Sequence, residues 1–340
     1  MMISFIVPVY NCKSFLPDCV SSILSVGIHN YEILLIDDGS NDGSGKLCDE
    51  LASQYPEIRV IHQANAGVSA ARNRGIAEAK GDKILFIDSD DSFDSDTLRT
   101  ILEDPRCDQA DLVIFGLTFD YYKNGICYRR DPLFHPFDGI MTKMEWGSEF
   151  TELYTKNSLS PIWNKIFKKS ILLQHNLHLN EDMFLYEDLE FVLRYMQHCQ
   201  TIWNVPKAIY HYRQSEDEGN SKRRLMRIDR LPVFLQPIEA ALASLLVKNP
   251  AIGASQRDQV LQQLYLVLAR EKISVSSLGG ICKICKDFAQ WSAGRKLPLE
   301  ETPFQKKLKN EQAFRLLLAD KKSALRHKLA VWVKSHIYKF

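Results

Sequence analysis

Five apolar runs of strand length punctuate the first 120 residues: ISFIVPVY from Ile3, EILLIDDG from Glu32, IRVIHQ from Ile58, KILFID from Lys83 and DLVIFGLTF from Asp111. Between the first four stand FLPDCVSSILS, SGKLCDELASQY and VSAARNRGIAEA, whose apolar residues have helical spacing, and DTLRTILED precedes the fifth. Near-continuous apolar strands alternating with amphipathic helices predict an α/β fold, a Rossmann-like, mostly parallel sheet flanked by helices. Ligands of such sheets bind outside the carboxyl ends of the strands. Polar residues gather there: Tyr10 and Asn11 after the first strand, Asp37 and Asp38 after the second, Asp88, Asp90 and Asp91 after the fourth.

Further on the pattern loosens. Residues 120–160 are mixed and turn-rich; SPIWNKIFKKSIL and EDMFLYEDLEFVLRYMQHC predict helices, and QTIWNVPKAIYHYR predicts a strand pair or an extended segment. QSEDEGNSKRR is charged without an apolar anchor and predicts a mobile loop. From about Leu225 the spacing is helical throughout. The expected organisation is one domain over 1–224, with halves near 1–119 and 120–224, followed by a helical C-terminal region over 225–340.

Composition changes this picture little. The 340 residues are 45% hydrophobic and 25% charged with a net charge of +1, which is ordinary for a globular protein and gives no argument for nucleic acid. The distribution is uneven: residues 305–340 hold ten Lys or Arg against two acids. On a helix, Phe314, Leu317, Leu318, Leu325, Leu329 and Trp332 form an apolar stripe flanked by Lys, which suits either an anionic membrane surface or packing on the helical region. MMISFIVPVYN carries no signal-peptide pattern, no run is apolar enough to span a membrane, and the eight scattered cysteines read as reduced thiols. The expected location is cytoplasmic, with the tail as a peripheral hold on the inner face of the cell membrane. The lone CKIC at Cys282 and Cys285 falls short of the four ligands of a zinc site.

Three carboxylates at one strand end repel each other unless something neutralises them. An oxygen cluster without neighbouring Cys or His favours a hard divalent ion, Mn²⁺ or Mg²⁺, which takes one or two protein carboxylates and completes its shell with water and substrate phosphates. Helix capping accounts for one acid among Asp91 to Asp94, not for three. In NAGVSAARNRG, Gly67 opens a helix carrying Arg72 and Arg74, a setting that suits phosphate. Neither a Walker A motif nor GxGxxG is present, which removes the main support for P-loop and dinucleotide readings.

FIVPVYN, LLIDDGSNDGS, NAGVSAARNRGIAEAKGDKILFIDSDD, PIWNKIFKKSIL and YEDLEFVLRY, in this order, resemble the family 2 glycosyltransferases of the GT-A fold over residues 1–215, and most of all bacterial enzymes of capsular, O-antigen or exopolysaccharide synthesis. The resemblance implies inverting transfer from a nucleotide-diphosphate sugar, usually a UDP-sugar, to a saccharide or polyprenyl-linked acceptor. It places Pro8, Tyr10 and Asp38, or Asp37 in place of Asp38, beside the nucleotide base and ribose. Asp88 and Asp90 match the DxD pair, with Asp90 the direct metal contact, and Asp91 reaches the donor or the metal through water. Asp188 matches the general base, with Glu187 as acceptor positioner or alternative base. The family often has Gly where this chain has Tyr186, which leaves the local backbone geometry open. His211 stands where some relatives place a third metal ligand, with a packed or solvated histidine as the equal alternative. Arg213 and the loop after it are a candidate lid over the diphosphate; Trp163 reads as core and Lys165 as a charge near the site. Two other readings stand beside this one: a sugar-nucleotide pyrophosphorylase, whose Gly-rich phosphate loop VPVYNCKSF lacks, and a non-catalytic nucleotide-sugar binding subunit.

Overall fold

The computed structural model of the chain describes residues 1–156, 158–215, 235–261, 263 and 264. The charged loop from Glu216 onward, most of the expected helical region, the CKIC pair and the basic tail lie outside the described residues. The chain divides into two units, Met1–Glu218 with Ala240–Gly253, and Gly219–Glu239 with Ala254–Phe340. In the second, residues 254–261 are helical.

The first unit begins with strict alternation: β1 (Ile3–Val9), α1 (Leu16–Leu24), β2 (Tyr31–Asp37), α2 (Ser44–Gln54), β3 (Ile58–His62), α3 (Val68–Glu78) and β4 (Lys83–Phe86). Every residue of β1 is buried, because β2 and β4 pair with it in parallel on its two sides and helices cover its faces. Pro8 lacks the N–H a central strand needs, yet it sits in β1 because β4's pairing ends at Ile6 and Phe86. Gly75 lets α3 lie close on the sheet, where a Cβ would fall 2.3 Å from Ile6 Cγ2.

Next come β5 (Ser92–Phe93), α4 (Ser95–Glu103), α5 (Pro105–Gln109), β6 (Leu112–Lys123), β7 (Ile126–Leu133), β8 (Gly139–Thr142), α6 (Lys143–Ser148) and α7 (Phe150–Thr155). They are followed by β9 (Lys165–Lys168), α8 (Lys169–Gln174), α9 (Glu187–Met196), β10 (Thr201–Ser215) and α10 (Gln236–Lys248). The sheet order is β3-β2-β1-β4-β9-β6-β10-β5, with β7 added on β6 and β8 on β10. The α/β fold is as expected, and the sheet is mixed: β3-β2-β1-β4 are parallel, while β9 runs antiparallel to both β4 and β6.

One local expectation needs correction. SPIWNKIFKKSIL is not one helix; its middle is β9 and only Lys169–Gln174 is helical. Ile166 and Phe167 fill the slot between β4 and β6, with Phe167 edge-on to Phe86, Phe191 and Tyr195. A short apolar run does not distinguish strand from helix by periodicity; here the vacant sheet position decides. Of the two alternatives for QTIWNVPKAIYHYR the extended segment holds: it forms one long strand, β10, with register shifts against β6 on either side of Ala208.

Candidate active site

The carboxyl ends of β1, β2 and β4 and the N-termini of α3 and α9 bring most of the expected residues together. Tyr10 follows β1 and is 51% exposed, an aromatic face open to solvent at a strand end. Pro8 lies buried beneath it in β1.

Asp38 is buried, and both its oxygens are engaged: Gln63 Nε2 and the Ala66 N–H donate to Oδ1 at 2.8 Å, and the Gly67 N–H donates to Oδ2 at 2.8 Å. A carboxylate offers about four acceptor positions, so about one remains for a ligand. Its first task is to shape the loop that opens α3, where Gly67 takes φ 92°. Asp37 is turned away from this loop; it accepts from the Ser40 N–H at 3.1 Å and holds His62 Nδ1 at 2.8 Å. Its acceptors therefore serve the turn after β2 and β3, and of the two acids Asp38 is the one beside the loop.

Arg72 was expected at a phosphate. Its buried guanidinium instead joins two carboxylates, with Nη2 donating to Asp88 Oδ1 at 2.7 Å and Nη1 to Asp188 Oδ1 at 2.8 Å. Spacing along α3 does not reveal that Asp88 and Asp188, a hundred residues apart, meet at one planar cation. Asp188 also accepts from the Ile162 N–H at 3.4 Å through Oδ2. Burial raises its pKa to about 7; Glu187 and Asp88 add to the rise, and Arg72 pulls against it. The same carboxylates hold Arg72 firmly protonated against the cost of its burial. Glu187, also buried, begins α9 next to Tyr186, which adopts φ 58°. The backbone thus takes the left-handed turn that glycine enters freely, and here a tyrosine bears the strain.

The turn carrying Asp88, Asp90 and Asp91 follows β4. The Asp91 N–H donates to the Asp88 carbonyl at 3.0 Å, and Asp94 caps α4 by accepting from the Thr97 N–H at 2.9 Å. Asp94 is thus the capping acid of the run. Asp91 points inward, accepting from the Tyr210 hydroxyl and the Arg213 N–H, each at 2.7 Å. Burial, then Asp90 and Asp88, push its carboxyl well above the usual range. It was expected near the donor or metal; it borders the same cleft as Asp90, and both its oxygens accept from β10. Asp90 lines a small cleft with Asp18, Asp91, Ser92, Asp120, Tyr122, His211 and Arg213.

His211 shares that cleft, with Nδ1 3.2 Å from Asp120 Oδ2. Asp120 Oδ1 is buried with no hydrogen-bond partner. Asp18, Asp120 and Tyr210 were not anticipated. The available signals were a lone acid within the apolar strand LTFDYY, and the alternation of YHYR, which puts Tyr210 and Tyr212 on one face and His211 and Arg213 on the other. The Arg213 guanidinium lies 4.0 Å from the Tyr122 ring and 4.9 Å from Phe15. Trp163 is core, stacked on Tyr210 at 4.0 Å. Lys165 is buried, its ammonium donating to the Pro161 carbonyl and to Asn164 Oδ1, and burial draws its pKa well down.

Among the described residues no group of three or more His, Cys, Asp or Glu side chains is arranged to enclose a metal ion. The chemistry of the donor set nonetheless fits one bound from an open side. Asp90 and His211 line one cleft and Asp120 engages one ring nitrogen of His211; the other nitrogen and Asp90 would be the protein's ligands, with water and phosphates to complete the shell.

Residues 4–172 match the family described as glycosyl transferase family 2. The Bacillus subtilis protein named uncharacterized glycosyltransferase EpsJ is 29% identical over 325 residues, covering 94% of this chain and 91% of that one. Minor teichoic acid biosynthesis protein GgaB of Bacillus subtilis is 29% identical over 228 residues, 64% of this chain and 23% of GgaB. Among solved structures, S. aureus TarS 1–349 in complex with UDP-GlcNAc superposes with a TM-score of 0.58 at 19% identity, covering 91% of this chain and 79% of that one; this likeness concerns the fold.

Proposed function

The chain belongs to glycosyl transferase family 2, and on that premise we propose that it transfers a sugar, with inversion, from a UDP-sugar to a hydroxyl of a saccharide or polyprenyl-linked acceptor in surface polysaccharide synthesis. The observation that carries the reading is the bridge of Arg72 between Asp88 and Asp188. It sets a carboxylate with a pKa of about 7 beside the turn where the donor diphosphate is expected. A base is most effective with a pKa near the working pH. Asp188 takes the acceptor hydroxyl's proton as that oxygen forms its bond to the anomeric carbon, and the bond to the diphosphate breaks on the opposite side. Glu187, adjacent and buried, tunes Asp188 and orients the acceptor.

Tyr10 stacks on the base and Asp38 receives the base's N–H through its remaining acceptor position. Asp90 and His211 would hold Mn²⁺ or Mg²⁺; Asp88, paired to Arg72, is the less available member of the DxD pair. When bound, such an ion supplies neutralisation of the departing diphosphate. The complex of TarS with UDP-GlcNAc supports a nucleotide sugar at these strand ends, and the teichoic acid role in the name of GgaB supports a surface polymer as the product.

UDP release across a panel of UDP-sugars, with Mn²⁺ and with EDTA, tests the reading, together with the anomeric configuration of the product by NMR. Turnover with one UDP-sugar, lost in EDTA and in Asp90→Asn, and an inverted product are expected. Retained configuration or full turnover in EDTA would overturn the inverting or the metal-assisted part respectively. The basic tail is proposed to hold the enzyme at an anionic membrane bearing the lipid-linked acceptor. Flotation with anionic liposomes should then be lost in a chain ending at Thr302 and kept in the full chain. Among the described residues no helix is long and apolar enough to cross a membrane.

A further inference from the structure

Asp91 and Tyr210 lie at the centre of a set of contacts that the transfer reading does not use. The Tyr210 hydroxyl donates to Asp91 Oδ2 at 2.7 Å and accepts from the Asp88 N–H at 3.1 Å, so both its hydrogen-bonding capacities go to the DxD turn. The other oxygen of Asp91 receives the Arg213 N–H at 2.7 Å. Tyr210 is fully buried, and its ring is fixed by the stack on Trp163 and by the edge of Phe93 at 5.3 Å. It cannot reach a substrate. Next to it in β10 is His211, and next to Asp91 in the turn is Asp90; both line the cleft, which Asp91 and Arg213 also border, Asp91 with both carboxylate oxygens already engaged by β10. The attachments of Asp91 to β10 thus flank His211, one residue before it and two after.

We propose that Asp91 and Tyr210 form a latch that sets Asp90 and His211 at one cation site, as positioning residues that touch neither donor nor metal. The inference rests on the metal part of the proposed function. Neighbouring groups that hold metal ligands in place commonly change affinity by about 10–100-fold when removed. The latch has the geometry for that role: a turn and a strand, distant in sequence, are tied by three hydrogen bonds to groups beside the ligands.

The test is Mn²⁺ titration of the full chain by EPR without donor, for the unaltered protein, Tyr210→Phe, Asp91→Asn and Asp90→Asn, with UDP binding measured by calorimetry in EDTA. Tyr210→Phe and Asp91→Asn should each weaken Mn²⁺ by about 10–100-fold and leave UDP binding in EDTA within about twofold. In turnover, the KM for Mn²⁺ should rise more than kcat at saturating Mn²⁺ falls. Unchanged Mn²⁺ affinity in Tyr210→Phe beside its loss in Asp91→Asn would make Asp91 a ligand itself and overturn the latch. Weakened UDP binding by Asp91→Asn in EDTA would place it on the donor, with the same result. If the unaltered protein and Asp90→Asn bind Mn²⁺ equally poorly, the metal reading fails. Amide exchange then judges the latch alone: faster exchange over 88–93 and 210–213 in Tyr210→Phe supports it, and unchanged exchange overturns it. Should Asp91→Asn fail to fold, Tyr210→Phe, which keeps the ring and its stack, carries the same measurements.

Discussion

Asp37 and Asp38 close β2, and Asp88 to Asp91 close β4, two strands that flank β1 in one parallel stretch of sheet. Both sets follow an apolar strand and precede a turn. In the first, the adjoining turn, strand β3 and the loop after it fill the carboxylates: Ser40, His62 and Gln63, and the backbone of Ala66 and Gly67. In the second, the partners come from α3 and from β10, the latter more than a hundred residues on: Arg72 on Asp88, Tyr210 and Arg213 on Asp91. The difference teaches that an acid at a strand end becomes part of a reaction site when its partners tie distant elements together and leave a neighbour facing a cleft. Filled by the loop that follows the neighbouring strand, such an acid mainly builds backbone.

Arg72 should separate the two sets most strongly. Arg72→Gln removes one cation from two carboxylates and is expected to cost about 3–5 kcal/mol in urea unfolding, the usual loss when one partner of a buried ion pair is deleted. Because Arg72 lowers the pKa of Asp188, its loss should also move the acidic limb of the rate profile upward from about 7. A stability change within about 0.5 kcal/mol would show that the bridge is dispensable, as surface changes are.

Asp188→Asn comes next. It should lower kcat by about 10²–10⁴-fold with donor affinity kept. In the unaltered enzyme kcat should fall as pH drops below about 7, since only the ionised carboxylate accepts a proton. Collapse of UDP affinity with kcat preserved would make Asp188 a binding group and leave Glu187 as the base.

Asp38→Asn tests the β2 set. An amide oxygen replaces only one of the two oxygens that accept from Gln63, Ala66 and Gly67, so about 1–3 kcal/mol of stability should be lost. Measured by thermal unfolding, an unchanged midpoint would mean that the loop holds itself.

The smallest effect is expected at His62. Hydrogen bonds to Asp37 and then Asp49 raise its pKa above the unfolded value of about 6.5. Its contribution is therefore complete below that value and is lost as pH rises through the folded one. The half-exposed pair is screened by solvent, so the contribution should stay under about 1 kcal/mol. His62→Asn should remove this slope from the pH dependence of stability; an unchanged slope would assign it elsewhere.

What the sequence determined by itself is local and periodic. Near-continuous apolar runs such as KILF, bounded by amphipathic helices, admit one kind of structure, because their residues must be buried on both faces. With that come the strand ends and the acids placed on them, including Asp38 and Asp90, and the helix start that carries Asp188. The tertiary structure decided what those acids do. Arg72 reads as a phosphate ligand in the chain and stands between two carboxylates in the fold; Asp91 reads as part of the donor site and, at the border of that cleft, gives both its oxygens to β10. The same holds for KIFK, which becomes a strand only because β4 and β6 leave a place between them. Periodicity records which face of an element is buried. It does not record which distant charge or hydroxyl meets that face, since electrostatic and hydrogen-bonding partners are set by distances that exist only once the sheet is assembled.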